Sequence, residues 1–216
     1  MKRVVLFISM LLLAVSVYGQ GPAAVDLGLT SGLKWASANV GAETPYATGD
    51  FFAWGETAPK AVYDWSTYKW SKGSLETITK YLNVDTYGGP VDDKTVLDPG
   101  DDPATAVLGG KWRTPTRKEF IELRRECDWI WVSENGAAGY EIRSKVNGNK
   151  IFLPAAGFWQ DDHSVGVGLW AYGDYWTSSL GGGCPEFAFC ITFNSQTIDW
   201  GTFERSWGFT IRAVTE

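Results

Sequence analysis

Cys184 and Cys190 are the pair whose type and spacing first suggest chemistry, since they stand close together around a turn-forming stretch. In an oxidising compartment such a pair can bridge a strand end to its loop, with Cys127 left over. Kept reduced, two neighbouring thiolates can hold a soft metal. The third reading is three buried or unpaired thiols without a role. The chain has one histidine, His163, so a zinc site with histidine ligands cannot be assembled, and no CxxC spacing occurs. Asp161, Asp162, His163 and Ser164 are residue types of a hydrolytic triad. A triad is a three-dimensional arrangement, however, and this run reads as a solvated loop tip. Asp92, Asp93, Asp98, Asp101 and Asp102 offer the oxygens a hard cation needs, without the Gly and Glu spacing of an EF-hand loop. They read as a solvated acidic loop. No catalytic residue, metal or cofactor is assigned.

The aromatic residues carry more. There are 12 tryptophans in 216 residues, and tryptophan serves both cores and binding surfaces. Trp35, Trp54, Trp112 and Trp176 sit in short glycine-punctuated runs that look structural. Asp199, Trp200, Phe203, Glu204, Arg205 and Trp207 crowd the polar, turn-forming C-terminal region and form a candidate recognition face. Trp170 and Tyr172, at the end of a glycine-rich loop, supply a second wall. Strand alternation puts Ile191 and Phe193 on one side and Thr192 and Asn194 on the other. Ile198 and Trp200 more naturally face inward than Thr197, Asp199 and Gly201, which makes Trp200 partly core. Phe203, Glu204, Arg205 and Trp207 surround a turn and are the better surface candidates. Rings beside Arg and Glu suit both protein hot spots and sugar stacking. Against this stands the plain alternative that all these rings pack a small, loop-rich core.

The elements that must position these residues follow from period and punctuation. Residues 25–35 read as a short hairpin turning at Thr30-Ser31-Gly32. Thr116 with Glu119 forms a capping box for a helix over 116–127, with Phe120, Leu123 and Cys127 on its apolar face and Ile121 beside them. A second short helix is predicted over 74–81, burying Leu75, Ile78 and Leu82. Residues 85–103 are a long irregular stretch. Strands are expected over 128–133, 139–144 and 150–154, the last two joined at Asn147-Gly148. Residues 157–172 form the glycine-rich loop, another strand starts at 173, and 187–193, 197–203 and 207–214 make a three-stranded meander.

The chain opens with Lys2 and Arg3, then an apolar run over 4–15, then Val17-Tyr18-Gly19. This pattern predicts an export leader over residues 1–19, cut before Gln20, with an apolar run too short for a transmembrane anchor. The mature chain, 20–216, is one domain's worth. Loss of Lys2 and Arg3 takes its net charge from −6 to −8. An acidic protein with scattered cations is a poor partner for nucleic acid. The expected location is periplasm, cell surface or medium.

Several segments together carry a resemblance. They are Val25-Asp26-Leu27-Gly28-Leu29, Leu33-Lys34-Trp35-Ala36, Gly49-Asp50-Phe51-Phe52-Ala53-Trp54-Gly55-Glu56-Thr57, Gly110-Lys111-Trp112-Arg113-Thr114-Pro115-Thr116, Phe152-Leu153-Pro154-Ala155-Ala156-Gly157, Tyr175-Trp176-Thr177-Ser178-Ser179 and Ile211-Arg212-Ala213-Val214. In this order they resemble the major paralogous domain family of Fibrobacter and gut Bacteroidetes. That family is similar to the C-type lectin-like fold, in the branch shared with formylglycine-generating enzymes. The C-terminal region is also similar to the variable region of diversity-generating retroelement proteins, whose ligand-contacting stretch corresponds to residues 194–207 here. The resemblance implies an α+β, C-type lectin-like fold: two short helices packed on small antiparallel sheets with long irregular loops. It implies an exported, non-catalytic module that binds a surface protein or glycan. Many relatives have a cysteine where Ala38 stands, which leaves Cys127 without that mate. The calcium-dependent sugar-binding tripeptides of C-type lectins are absent, and Ile198-Asp199-Trp200 is no substitute. Two alternatives remain: a copper-binding redox enzyme of formylglycine-generating type centred on Cys184 and Cys190, or a structural surface or adhesin subunit.

Overall fold

The computed structural model describes residues 21–165 and 171–216; the expected leader and Trp170 lie outside them. The architecture is mixed α+β, with small antiparallel sheets, few helices and much irregular chain. The two ends of the described chain meet in one sheet. Strands β1 (Ala24–Asp26) and β2 (Lys34–Ala36) form the expected hairpin, with Val25 opposite Trp35. The last strand, β11 (Val214–Thr215), pairs on the other side of β2, again at Trp35.

Helix α2 (Arg117–Glu126) starts where its capping box requires. The Thr116 hydroxyl accepts from the Glu119 N–H, and Glu119 accepts from the Thr116 N–H at 2.7 Å. Arg113 forks the same carboxylate at 2.8 and 2.6 Å, so one side chain caps the helix and ties it to the segment bridged to Val214. Phe120, Leu123 and Cys127 are buried as the spacing predicts, while Ile121 is exposed. Cys127 leads directly into the sheet of β3 (Cys127–Glu134), β4 (Ala137–Ser144) and β5 (Lys150–Pro154).

The second helix falls elsewhere than predicted. Residues 74–81 hold only a 3-10 turn, Leu75–Thr77. The Ser74 and Thr77 side chains close that turn on themselves, Ile78 is extended, and Tyr81 has φ 61°. The run Thr77-Ile78-Thr79 is β-branched and favours leaving the helix. Burial still goes to Ile78 and Leu82. The real second helix, α1 (Pro103–Leu108), begins at the end of the stretch expected to be irregular, with Asp102 capping the Ala104 and Thr105 N–H groups.

The acidic residues of that stretch hold the loop together. Asp92 accepts from the Tyr81 and Leu82 N–H groups, and Asp98 takes ion pairs from Lys80 and Lys94. Asp101 takes Lys80, Lys69 and the Tyr81 hydroxyl; Asp102 adds the Thr114 N–H and hydroxyl.

The predicted meander is shifted by one strand. Its sheet has the order β10–β9–β8, built from β8 (Gly173–Leu180), β9 (Phe187–Phe193) and β10 (Ile198–Glu204). Residues 207–214 do not add a third strand after β10. They run through the interior, bonding a different neighbour at each step: Phe209 with Phe52, Thr210 with Tyr175, Val214 with Arg113. Arg212 anchors this run with neutral partners only. Its Nε donates to Asn39 Oδ1 at 2.9 Å, and its two terminal nitrogens donate to the Ala36 and Phe152 carbonyls. The motif Ile211-Arg212-Ala213-Val214 is thus the knot that joins β2, β5 and the C-terminal run. The glycine-rich loop contains a further short hairpin, β6 (Phe158–Gln160) and β7 (His163–Val165).

Candidate functional site

The candidate face is built where β10 ends against the β6–β7 hairpin. Trp159 pairs with Gly208 and Asp161 with Tyr63, so the hairpin is stitched between the C-terminal run and the segment at 60–70. The Glu204 carbonyl accepts from the Trp207 N–H, closing a tight turn at the end of β10. This turn presents Phe203 and Trp207 together, with ring centres 5.5 Å apart. Phe158 from β6 stacks on Trp207, centres 5.4 Å apart and planes 6° from parallel. Phe209 lies beneath and closes the group against the core. Trp65 donates its indole N–H to the Glu204 carboxylate at 2.8 Å, fixing one carboxylate oxygen beside the rings. Phe51, Tyr63 and Trp159 continue the aromatic run. Phe158, Trp159, Phe203, Glu204, Trp207 and Trp65 are all half-buried, so each keeps part of its side chain in water.

Of the sequence-predicted residues, Phe203, Glu204 and Trp207 come together here. Tyr172 is 38% exposed at the loop's return. Asp199 is exposed further back on β10, and Trp200 is half-buried, packed with Ile198 against the core as alternation predicts. Trp170 lies outside the described residues.

Arg205 corrects the sequence reading: it is 0% exposed and cannot meet a partner. Its guanidinium lies 5.5 Å from the ring centres of both Trp54 and Tyr68. One nitrogen donates to the Lys80 carbonyl at 3.1 Å and reaches the Tyr81 carbonyl. Its Nε and other terminal nitrogen have no partner among the described residues. Burial pulls its pKa below the ordinary value. The cause of this burial is the strand ladder: the Arg205 N–H donates to Glu186 and its carbonyl accepts from Trp54, which turns the side chain inward at the very place where the turn seemed to present it.

The cysteine reading is corrected as well. All three thiols are free. Cys184 is exposed in the turn before β9, whereas Cys190 faces inward from β9 beneath Gly201, where a Cβ would stand 3.3 Å from its sulfur. One sulfur is thus at the surface and the other inside. Burial pushes the Cys190 thiol well up, and the Cys127 thiol up to about 11, so neither is a ready thiolate. His163, Asp161, Asp162 and Ser164 are exposed around the tip of the β6–β7 hairpin, with His163 Nδ1 at 3.4 Å from Asp162.

Two contributors were missed from sequence. Trp65 stands in an ordinary polar turn, Asp64-Trp65-Ser66, and its only signal was a bulky ring among hydrophilic neighbours. Phe158 opens a strand that the glycine-rich composition concealed. A buried acid near the face was also missed. Asp174 of β8, opposite Thr192, is 2% exposed, and desolvation raises its carboxyl pKa to about 7, partly countered by the Thr192 hydroxyl. No protein-family model, no curated protein and no solved structure matches this chain. No helix among the described residues is long and apolar enough to cross a membrane.

Proposed function

We propose that this chain is an exported, non-catalytic binding module of C-type lectin-like type. It captures a surface protein or glycan on the aromatic face formed by Phe158, Phe203, Trp207 and Trp65, with Glu204 as the polar anchor. The observation that carries this reading is the partly buried Trp207–Phe158 stack beside a carboxylate held by Trp65. Large rings fixed by their neighbours lose little freedom on binding, and a carboxylate already oriented by one donor offers its remaining lone pairs to a ligand.

The test is hydroxyl-radical footprinting of the protein alone and captured on arrays of oligosaccharides and cell-surface proteins. Protection on capture should concentrate at Trp65, Phe158, Phe203 and Trp207. Capture with protection confined to other surfaces, or no capture by either class, would overturn the proposal.

A further inference from the structure

The outer edge of β10 is open. Its ladder to β9 runs without a bulge from Ile198 opposite Phe193 to Glu204 opposite Phe187. Both ends fix its phase: the Asn194 N–H donates to the Thr197 carbonyl, and the Arg205 N–H to the Glu186 carbonyl. In an antiparallel ladder, bonded and non-bonded positions alternate. Thr197, Asp199, Gly201, Phe203 and Arg205 therefore direct their backbone groups to β9, while Ile198, Trp200 and Thr202 direct theirs away. Among the described residues, no hydrogen bond reaches the N–H or C=O groups of these three. Of the usual guards of an edge strand, β10 carries charged side chains, Asp199 and Glu204, but no lysine, proline or bulge.

We propose that β10 receives an extended segment of a protein partner as an added strand, one that is apolar on the face of Ile198 and Trp200 and carries a basic residue opposite Asp199. This rests on the reading above and names the partner class for the same β region. The free donors and acceptors match an extended backbone, which no glycan reproduces. The side chains set the two faces. Ile198 and Trp200 lie on the face packed against the core, so an added strand extends that apolar row. Asp199 is exposed on the opposite face, where one lysine or arginine of the added strand meets it, while Gly201, Phe203 and Arg205 of that face turn inward toward Cys190, Phe209 and Trp54.

The probe is a peptide of about ten residues alternating valine and lysine, long enough for one strand. A peptide of identical composition with the residues in blocks controls for bulk charge. Amide exchange should slow at Ile198, Trp200 and Thr202 when the alternating peptide binds. Thr202→Pro deletes one outward N–H and leaves every β9 bond in place, and should weaken binding about tenfold, the worth of a hydrogen bond lost from a complex. Thr202→Ala should bind within roughly twofold of the native protein, as exposed substitutions do. Equal binding of the blocked peptide, or protection at the other long edge, β3, overturns the proposal. So does concentration-dependent self-association abolished by Thr202→Pro, which would make a second copy the occupant. Exchange on the native chain decides the matter even if the proline variant does not fold. If capture needs Trp207 but ignores Thr202→Pro, the aromatic face stands and the added strand falls.

Discussion

Arg205 and Asp174 are the two charged residues whose burial decides most about the C-terminal region, and each has a measurable consequence. Arg205 has carbonyls and aromatic faces for company, and among the described residues no carboxylate pairs with it. Its long stem fills space among Trp54, Tyr68 and Tyr81, while the desolvation of its charge is only partly offset by these carbonyls and rings. Arg205→Ala leaves a cavity and two orphaned carbonyls, and is expected to lose about 2–4 kcal/mol in denaturant unfolding. Arg205→Met keeps most of the volume and removes the charge, and should fall within about 1 kcal/mol of the native protein. An alanine variant as stable as the native chain would show that the stem does not fill the core. Asp174 has its carboxyl raised to about 7 by burial, against an ordinary value near 3.8. A carboxyl raised in the folded state holds its proton better there than in the unfolded chain. Its favourable contribution is therefore complete below about pH 4 and is lost as pH rises through about 7. Asp174→Asn should raise the melting temperature at pH 8, with the gain shrinking to nothing near pH 4. A gain independent of pH would contradict this assignment.

At the scale of elements, the sheet β8–β9–β10 depends on one close approach. A Cβ on Gly173 would stand 2.1 Å from the Phe193 ring. That ring is the hub of an aromatic group with Trp129, Trp131, Tyr140 and Tyr175. Gly173→Ala should therefore cost about 1–3 kcal/mol by overpacking, read as a lower denaturation midpoint at unchanged slope. An unchanged midpoint would mean that the ring yields freely. The sequence foretold the elements whose signals are local. The capping box at Thr116 and Glu119, the turn at Asn147-Gly148 and the alternation that half-buries Trp200 all hold. What was not legible depends on distant partners. Helical spacing over 74–81 yielded to β-branching and to a hydroxyl-closed turn. Residues 207–214 look like a strand because they are apolar and alternate, but from Gly208 onward they are buried and bond to several elements. Arg205 looked like a surface cation because it follows a turn; only its ladder to Glu186 and Trp54 turns it inward. Trp65 joined the face from a loop far away in sequence, and nothing within that loop announces its bond to Glu204.

At the scale of the whole molecule, two buried clusters meet along β8 and β9. One gathers α2 and the β3–β4–β5 sheet; the other gathers Trp54, Trp176, Phe209 and the C-terminal run. Arg212 ties them together from inside. Partly buried rings stand at the rim of both clusters, among them Trp129, Trp131 and Trp200 beside the first and Phe158, Phe203 and Trp207 beside the second, with Trp65 and Trp159 of a third, smaller cluster next to these. The rings beside the second cluster stand next to a carboxylate, Glu204, that the Trp65 indole holds in place. That juxtaposition is the basis for placing ligand capture there. The most direct measurement is the affinity of Trp207→Ala and Trp131→Ala, side by side, for whichever oligosaccharide or surface protein the native chain captures, with unfolding midpoints measured in parallel. Trp207→Ala should weaken capture about thirtyfold or more, as loss of a central aromatic anchor does, while Trp131→Ala leaves it unchanged. Native affinity in Trp207→Ala, or the loss falling on Trp131→Ala instead, would contradict the account.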